Sequence, residues 1–353
     1  MRRRLITLPA AALLATGCTS FTEAADPSGS STTTGSSATA PSTTAPASAV
    51  PEDLRVVDEV GLGATGVATA RLAADGDARA VLLVGSPTST VVTADTATAV
   101  RDALPTDVVL VAGRPVAVAL AADPVAADPV LGVVPVAGTT AGAVQLDPRQ
   151  TAPRGIPVLA AADGDAVLLL AEDADGVGAH VLAVDPGTGA VTADGEVELG
   201  DGAVAVDLVG LAATDDDVVA GVSVRGADGT TTGRLVTLDD RLEPAGDPQA
   251  TDGELLALTA DGTPVTADRD GTVRVGGAEV TDELGARVSG AAVVAGTPVV
   301  AFQDQGSPTV VVGTRVLTLC AGDGDALAVA APGDGTVLVA GTCDGSAVLW
   351  TLG

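Results

Sequence analysis

From residue 54 to the C-terminus the chain alternates short apolar runs with tight turn sequences. Leu72-Ala73-Ala74-Asp75-Gly76-Asp77 runs into Ala80-Val81-Leu82-Leu83-Val84, and Leu159-Ala160-Ala161-Ala162-Asp163-Gly164-Asp165 runs into Val167-Leu168-Leu169-Leu170. The same figure recurs around Gly113, Asp216, Gly262, Gly296 and Gly335. A glycine or aspartate between two apolar runs is a hairpin signal, because the primed turns that match strand twist need positive φ. Seven hairpins are therefore predicted. After most of them come two further extended runs, such as His180-Val181-Leu182-Ala183-Val184, the turn Asp185-Pro186-Gly187-Thr188-Gly189, and Ala190-Val191-Thr192. Alanine richness alone would favour helices, but Gly or Asp interrupts every ten residues or so and no sustained 3.6-residue period appears. Only Thr93 to Leu104 leaves room for a short helix.

Four strands per unit at a spacing of about 43 residues is the arithmetic of a β-propeller blade. The fold class expected is all-β, a seven-bladed β-propeller over residues 51–353. The innermost strand of each blade is nearly all Ala, Val, Leu and Gly, which predicts burial on both faces. The ends of the repeat region support a closed ring. The last unit has three strands and then stops, while Asp53-Leu54-Arg55-Val56-Val57-Asp58-Glu59-Val60 stands before the first unit without a partner. Pairing the two would close the ring and remove its open edge.

That arrangement resembles the Velcro closure of WD40-like and quinoprotein-like propellers, and the resemblance covers about 300 residues as architecture. Leu182-Ala183-Val184-Asp185-Pro186-Gly187-Thr188-Gly189 is similar to the Asp-x-x-Thr-Gly turn of quinoprotein-like repeats and occurs once. The Gly-His and Trp-Asp pairs of WD40 repeats and the tryptophan docking pattern of quinoproteins are absent. Placed on a propeller, Cys320 ends the outer strand of blade 6 and Cys343 the second strand of blade 7, two positions that share one face. A disulfide between them is expected, closing a loop of a size that contributes roughly 3 kcal/mol in the chain-entropy model.

The N-terminus has a different pattern. Met1-Arg2-Arg3-Arg4 is a positive start, Leu5 to Ala15 is an apolar stretch too short to span a bilayer, and Ala15-Thr16-Gly17-Cys18 follows. These residues resemble the signal peptide and lipobox of bacterial lipoproteins, with Ala15 where the lipobox has Leu. The resemblance implies cleavage after Gly17 (residues 1–17 lost), diacylation of Cys18, and a protein anchored on the extracytoplasmic face of the cell membrane. From Pro27 to Ala49 every residue is Ser, Thr, Pro, Ala or Gly. Such a stretch cannot offset its ordering entropy, so residues 18–50 are expected to be a disordered stalk with a reach of about 30 Å.

Composition then narrows the chemistry. The chain lacks Lys, Asn and Tyr, and its few Ile, Met, Phe and Trp point to a GC-rich, actinobacterial kind of source. A formal net charge of −29 excludes a nucleic-acid partner, since no basic stripe exists to displace counterions from phosphates. One His and three Cys remove most metal and nucleophile constellations. No cofactor, metal or catalytic set is expected, and the protein is expected to be a monomer.

If the blades are phased as above, the turns between second and third strands lie on one face. That face carries Glu172, Asp173 and Asp175 in blade 3, Arg225 and Asp228 in blade 4, and Asp268, Arg269 and Asp270 in blade 5. Blade 6 adds Gln303, Asp304 and Gln305, and blade 7 adds Asp344. It is more varied than the Asp-Gly hairpin face and is the candidate binding surface. The function expected is a lipid-anchored, non-catalytic module that binds or scaffolds a protein or ligand at the cell envelope. The alternative is a propeller enzyme, lactonase-like or quinoprotein-like, with convergent groups at the central channel.

Overall fold

A computed structural model describes residues 54–85, 88–100, 103–122, 129–136, 144–145, 158–173, 176–199, 202–281, 287–303 and 306–353. The expected signal peptide, Cys18 and stalk lie outside these residues, as do Asp175, Asp304 and Gln305. Every element among the described residues is a β-strand. They form seven four-stranded antiparallel sheets, six of which hold their strands in chain order while the seventh combines the first strand with the last three. The inner strands are Val67–Asp75, Ala103–Val111, Val158–Asp163, Ala203–Ala213, Glu254–Leu258, Arg287–Val294 and Ala326–Ala330. Each contacts the next, and the last contacts the first, so the ring is closed.

All seven hairpins fall where the turn residues predict. In blade 1 Asp75 pairs with Ala78 around Gly76, whose φ is +52°, and in blade 6 Val294 pairs with Thr297 around Ala295 and Gly296. The backbone needs left-handed conformers at these corners, and glycine supplies them without a Cβ clash. Blade 7 is assembled from both ends of the repeat region. Its outermost strand, Val56–Thr65, pairs antiparallel with Ser346–Leu352, bringing Glu59 opposite Trp350. Arg55 and Gly353 exchange backbone bonds at 3.3 and 3.1 Å, the Trp350 indole donates to Glu59 Oε2 at 3.2 Å, and Arg315 of blade 6 donates to the Leu54 carbonyl. The expected closure is therefore the observed one.

The core lies between neighbouring blades. In the second strand of blade 3, Ala166–Glu172, Val167 and Leu169 pack towards blade 2, while Leu168 and Leu170 pack towards blade 4. Period-2 alternation thus buries both faces of one strand. This corrects the expectation for the inner strands. The second strand is the one buried on both faces, whereas an inner strand such as Val158–Asp163 is mostly half-exposed, because one side of it borders the central channel. The span that left room for a helix also forms strands. Ala97–Val100 completes blade 1, paired with Ser89–Thr93, and a turn in which the Thr93 amide donates to the Thr96 carbonyl at 2.8 Å joins them.

Cys320 and Cys343 form the expected disulfide, with a Cα–Cα distance of 6.4 Å. It clasps the exit of blade 6 to the second strand of blade 7, Val337–Cys343.

Candidate binding face and central channel

Parallel inner strands place every inner-strand start, every second-to-third-strand turn and every blade-to-blade crossing on one end of the channel, here called the mouth face. All the described candidate residues lie on it or at its edge. They follow the mouth from blade 3 to blade 7, and three of the aspartates are held by loop hydrogen bonds. Asp228 Oδ1 accepts the Thr230 amide at 3.0 Å and the Thr230 hydroxyl at 2.7 Å. Asp268 Oδ1 accepts the amides of Asp270 and Thr272, each at 3.0 Å, and Asp344 Oδ1 accepts the Asp323 amide at 3.2 Å. The hydroxyl of Thr230 holds the Asp228 carboxyl below the usual range, and the Thr272 amide does the same for Asp268. Such Asx contacts fix loop geometry. Arg225, Arg269 and Asp270 are exposed, and Glu172 is half-buried at its strand end.

In blade 3 the structure joins residues that spacing did not. His180 Nδ1 lies 2.8 Å from Asp194 Oδ1, and its Nε2 lies 3.6 Å from Asp173 Oδ2. Asp194 was missed because it comes from the fourth strand, Val191–Glu196, where register sets Leu182 opposite it. The quinoprotein-like turn is built on Asp185, whose Oδ1 accepts the amides of Gly187 at 2.7 Å and Thr188 at 3.1 Å. Among the described residues no three His, Cys, Asp or Glu side chains group so as to hold a metal ion.

Three large apolar side chains are exposed on this same face: Leu104 at 56%, Val204 at 48% and Val177 at 37%. Leu104 and Val204 stand at the starts of the inner strands of blades 2 and 4, and Val177 lies in the blade 3 turn. The Val206 amide donates to the Gly176 carbonyl at 3.1 Å, which docks the Val177 turn beside the start of the blade 4 strand.

The channel is walled mainly by Ala, Leu, Val and Gly of the inner strands. Its mouth half encloses about 570 Å³ and its hairpin half about 600 Å³. The mouth half carries three charged residues that sequence reasoning passed over, Arg71, Asp107 and Arg287, and one candidate residue, Gln303. Asp107 sits at a register shift in the blade 2 inner strand. Its Oδ1 accepts the Val108 amide at 2.8 Å and its Oδ2 the Ala160 amide of blade 3 at 2.9 Å. Asp107 is half-buried on the channel wall, with the neighbouring blades packed around it. That burial pushes the carboxyl above the usual range, against the smaller opposing pulls of Arg71 and the two amides. The signal available in the sequence was a charged residue interrupting an otherwise apolar inner strand.

No protein-family model matches the chain. No curated protein matches its sequence. Among solved structures it is similar to the propeller of Dos1, at 10% identity and a TM-score of 0.48, covering 84% of this chain and 95% of that one. It is also similar to the acylaminoacyl peptidase of Pyrococcus horikoshii, at 12% identity and a TM-score of 0.52, covering 82% of this chain. This chain spans about half of that peptidase, 51% of its length. At such identities the likeness concerns the fold alone, and the seven four-stranded sheets make that fold a seven-bladed β-propeller.

Proposed function

We propose that this protein is a lipid-anchored, extracytoplasmic binding module whose mouth face engages a protein partner at the cell envelope. The observation that carries the reading is the exposure of Leu104, Val177 and Val204 on the face that also presents Arg225, Arg269 and Asp270. Apolar anchors within a polar surround are the composition of a protein interface. The anchor rests on the lipobox-like residues ending at Cys18, and the Ser/Thr/Pro/Ala/Gly stretch supplies a tether that lets the domain stand off an anionic membrane. The propeller-enzyme alternative called for convergent groups in the channel. The described channel mouth offers one carboxylate, Asp107, and both of its oxygens accept backbone amides.

The test is site-specific photocrosslinking in intact cells from position 204, with position 316 as control. Val316 is 64% exposed on the outer strand of blade 6 and lies away from the mouth. A recurrent adduct from 204 that is missing from 316 is expected. Identical adducts from both positions, or none from 204, would overturn the partner. Cys18→Ser should move the protein out of the membrane fraction, and unchanged retention would overturn the anchor.

A further inference from the structure

Arginines are scarce in this chain, 17 against 46 acidic residues, and carboxylates are abundant on its surface. Yet in the mouth half of the channel the balance is reversed, with Arg71 and Arg287 facing a space whose other charged wall residue is Asp107. Among the described residues Arg287 makes no ion pair or hydrogen bond, and Arg71 makes one weak contact, donating from Nη1 to the Ala70 carbonyl at 3.3 Å. Asp107 does not close an ion pair with Arg71; its oxygens are held by the Val108 and Ala160 amides. Two guanidinium forks therefore face one apolar-walled cavity with most of their donors available.

We propose that the mouth half of the channel binds a small organic anion, a carboxylate head on an apolar body, with Arg71 and Arg287 holding the head. A planar fork matches a carboxylate with two parallel hydrogen bonds. Low-dielectric walls focus that positive field in an otherwise acidic protein. Leu72, Leu159, Leu258 and Leu327 supply apolar surface for the body, and a cavity of about 570 Å³ is of the size that holds a small molecule. Gln303, at the end of the second strand of blade 6, borders the same space and offers a neutral donor and acceptor. The site stands whether or not the mouth face has a protein partner, since the crosslinking above does not read it.

Isothermal titration of the full chain with benzoate and hexanoate, against benzamide and inorganic phosphate, tests the proposal. Saturable one-site binding of the carboxylates is expected, at least about tenfold tighter than benzamide or phosphate. Arg287→Gln and Arg71→Gln should each weaken benzoate about tenfold or more. Arg114→Gln, on the opposite hairpin face, should leave it unchanged. Arg287 is exposed and without a described partner, so its variant folds and decides the matter if Arg71→Gln melts early. Benzamide or phosphate binding as tightly as benzoate would overturn the proposal. So would a benzoate affinity unmoved by Arg287→Gln, or no carboxylate binding at all.

Discussion

The rim of the mouth and the wall of the channel both carry charge, and they use it differently. On the rim, Asp228, Asp268 and Asp344 direct their oxygens at amides and hydroxyls of their own loops or of a neighbouring segment. They shape the turns, much as Asp334 does at the opposite end of blade 7 by accepting from Thr336 at 2.9 and 2.6 Å. In the channel, Arg71 and Arg287 face open space with donors to offer. A cluster of charge therefore marks a site only where its hydrogen-bonding capacity is not already satisfied by the fold. On this view substitutions of the turn-held rim aspartates change stability, and channel arginines change binding of the small anion.

The largest expected effect belongs to the rim. Cys320→Ser with Cys343→Ser should lower unfolding stability by roughly 3 kcal/mol, read by denaturant titration, while leaving carboxylate binding in the channel intact. A loss of binding at temperatures where the variant is folded would break the division between the two regions.

Next comes Asp107, the channel group that acts structurally. Asp107→Ala leaves the Ala160 amide of blade 3 without its acceptor, at a cost of about 1–3 kcal/mol. Because the folded state raises this carboxyl, the unfolded chain ionises it first as pH rises past its ordinary value of 3.8. The wild type loses stability as pH rises through the raised folded value, so its advantage over Asp107→Ala should shrink across that interval. Melting of both proteins across the pH range checks this, and a constant gap would mean that Asp107 keeps an ordinary carboxyl.

A smaller effect is expected on acidification. Asp228, Asp268 and Asp334 have carboxyls held below 3.8, so their contribution is present above that value and is lost as pH falls through their lowered folded values. Asp268→Ala should flatten part of the acid limb of the melting profile without moving benzoate affinity. The smallest effect on stability is that of Arg287→Gln, whose melting temperature should match the wild type's.

Much of the architecture was legible because it depends on local rules. Asp75-Gly76 and Asp163-Gly164 carry the backbone conformers that their hairpins need, and the unpaired run around Val56 had one open edge to fill. Cys320 and Cys343 were then placed on one face by topology alone. The identity of the fully buried strand was not legible, because Leu159-Ala160-Ala161-Ala162 and Val167-Leu168-Leu169-Leu170 look alike until the channel removes one neighbour from the first. The channel arginines were hidden for a related reason. Arg71 and Arg287 come from blades 1 and 6, far apart in sequence, and closing the ring brings both to one cavity. The described candidate carboxylates do share the mouth face, but their role depends on where each oxygen points. The Asp228-to-Thr230 and Asp268-to-Thr272 spacings were the readable hint of turn-fixing roles.

The most direct measurement is a crystal structure of the protein with 4-bromobenzoate, located by the anomalous signal of bromine. Bromine is expected among the leucines of the mouth half of the channel, with the carboxylate hydrogen-bonded to Arg71 and Arg287. A ligand found only on the rim beside Arg225 or Arg269, or no bromine in the channel at saturating ligand, would contradict it.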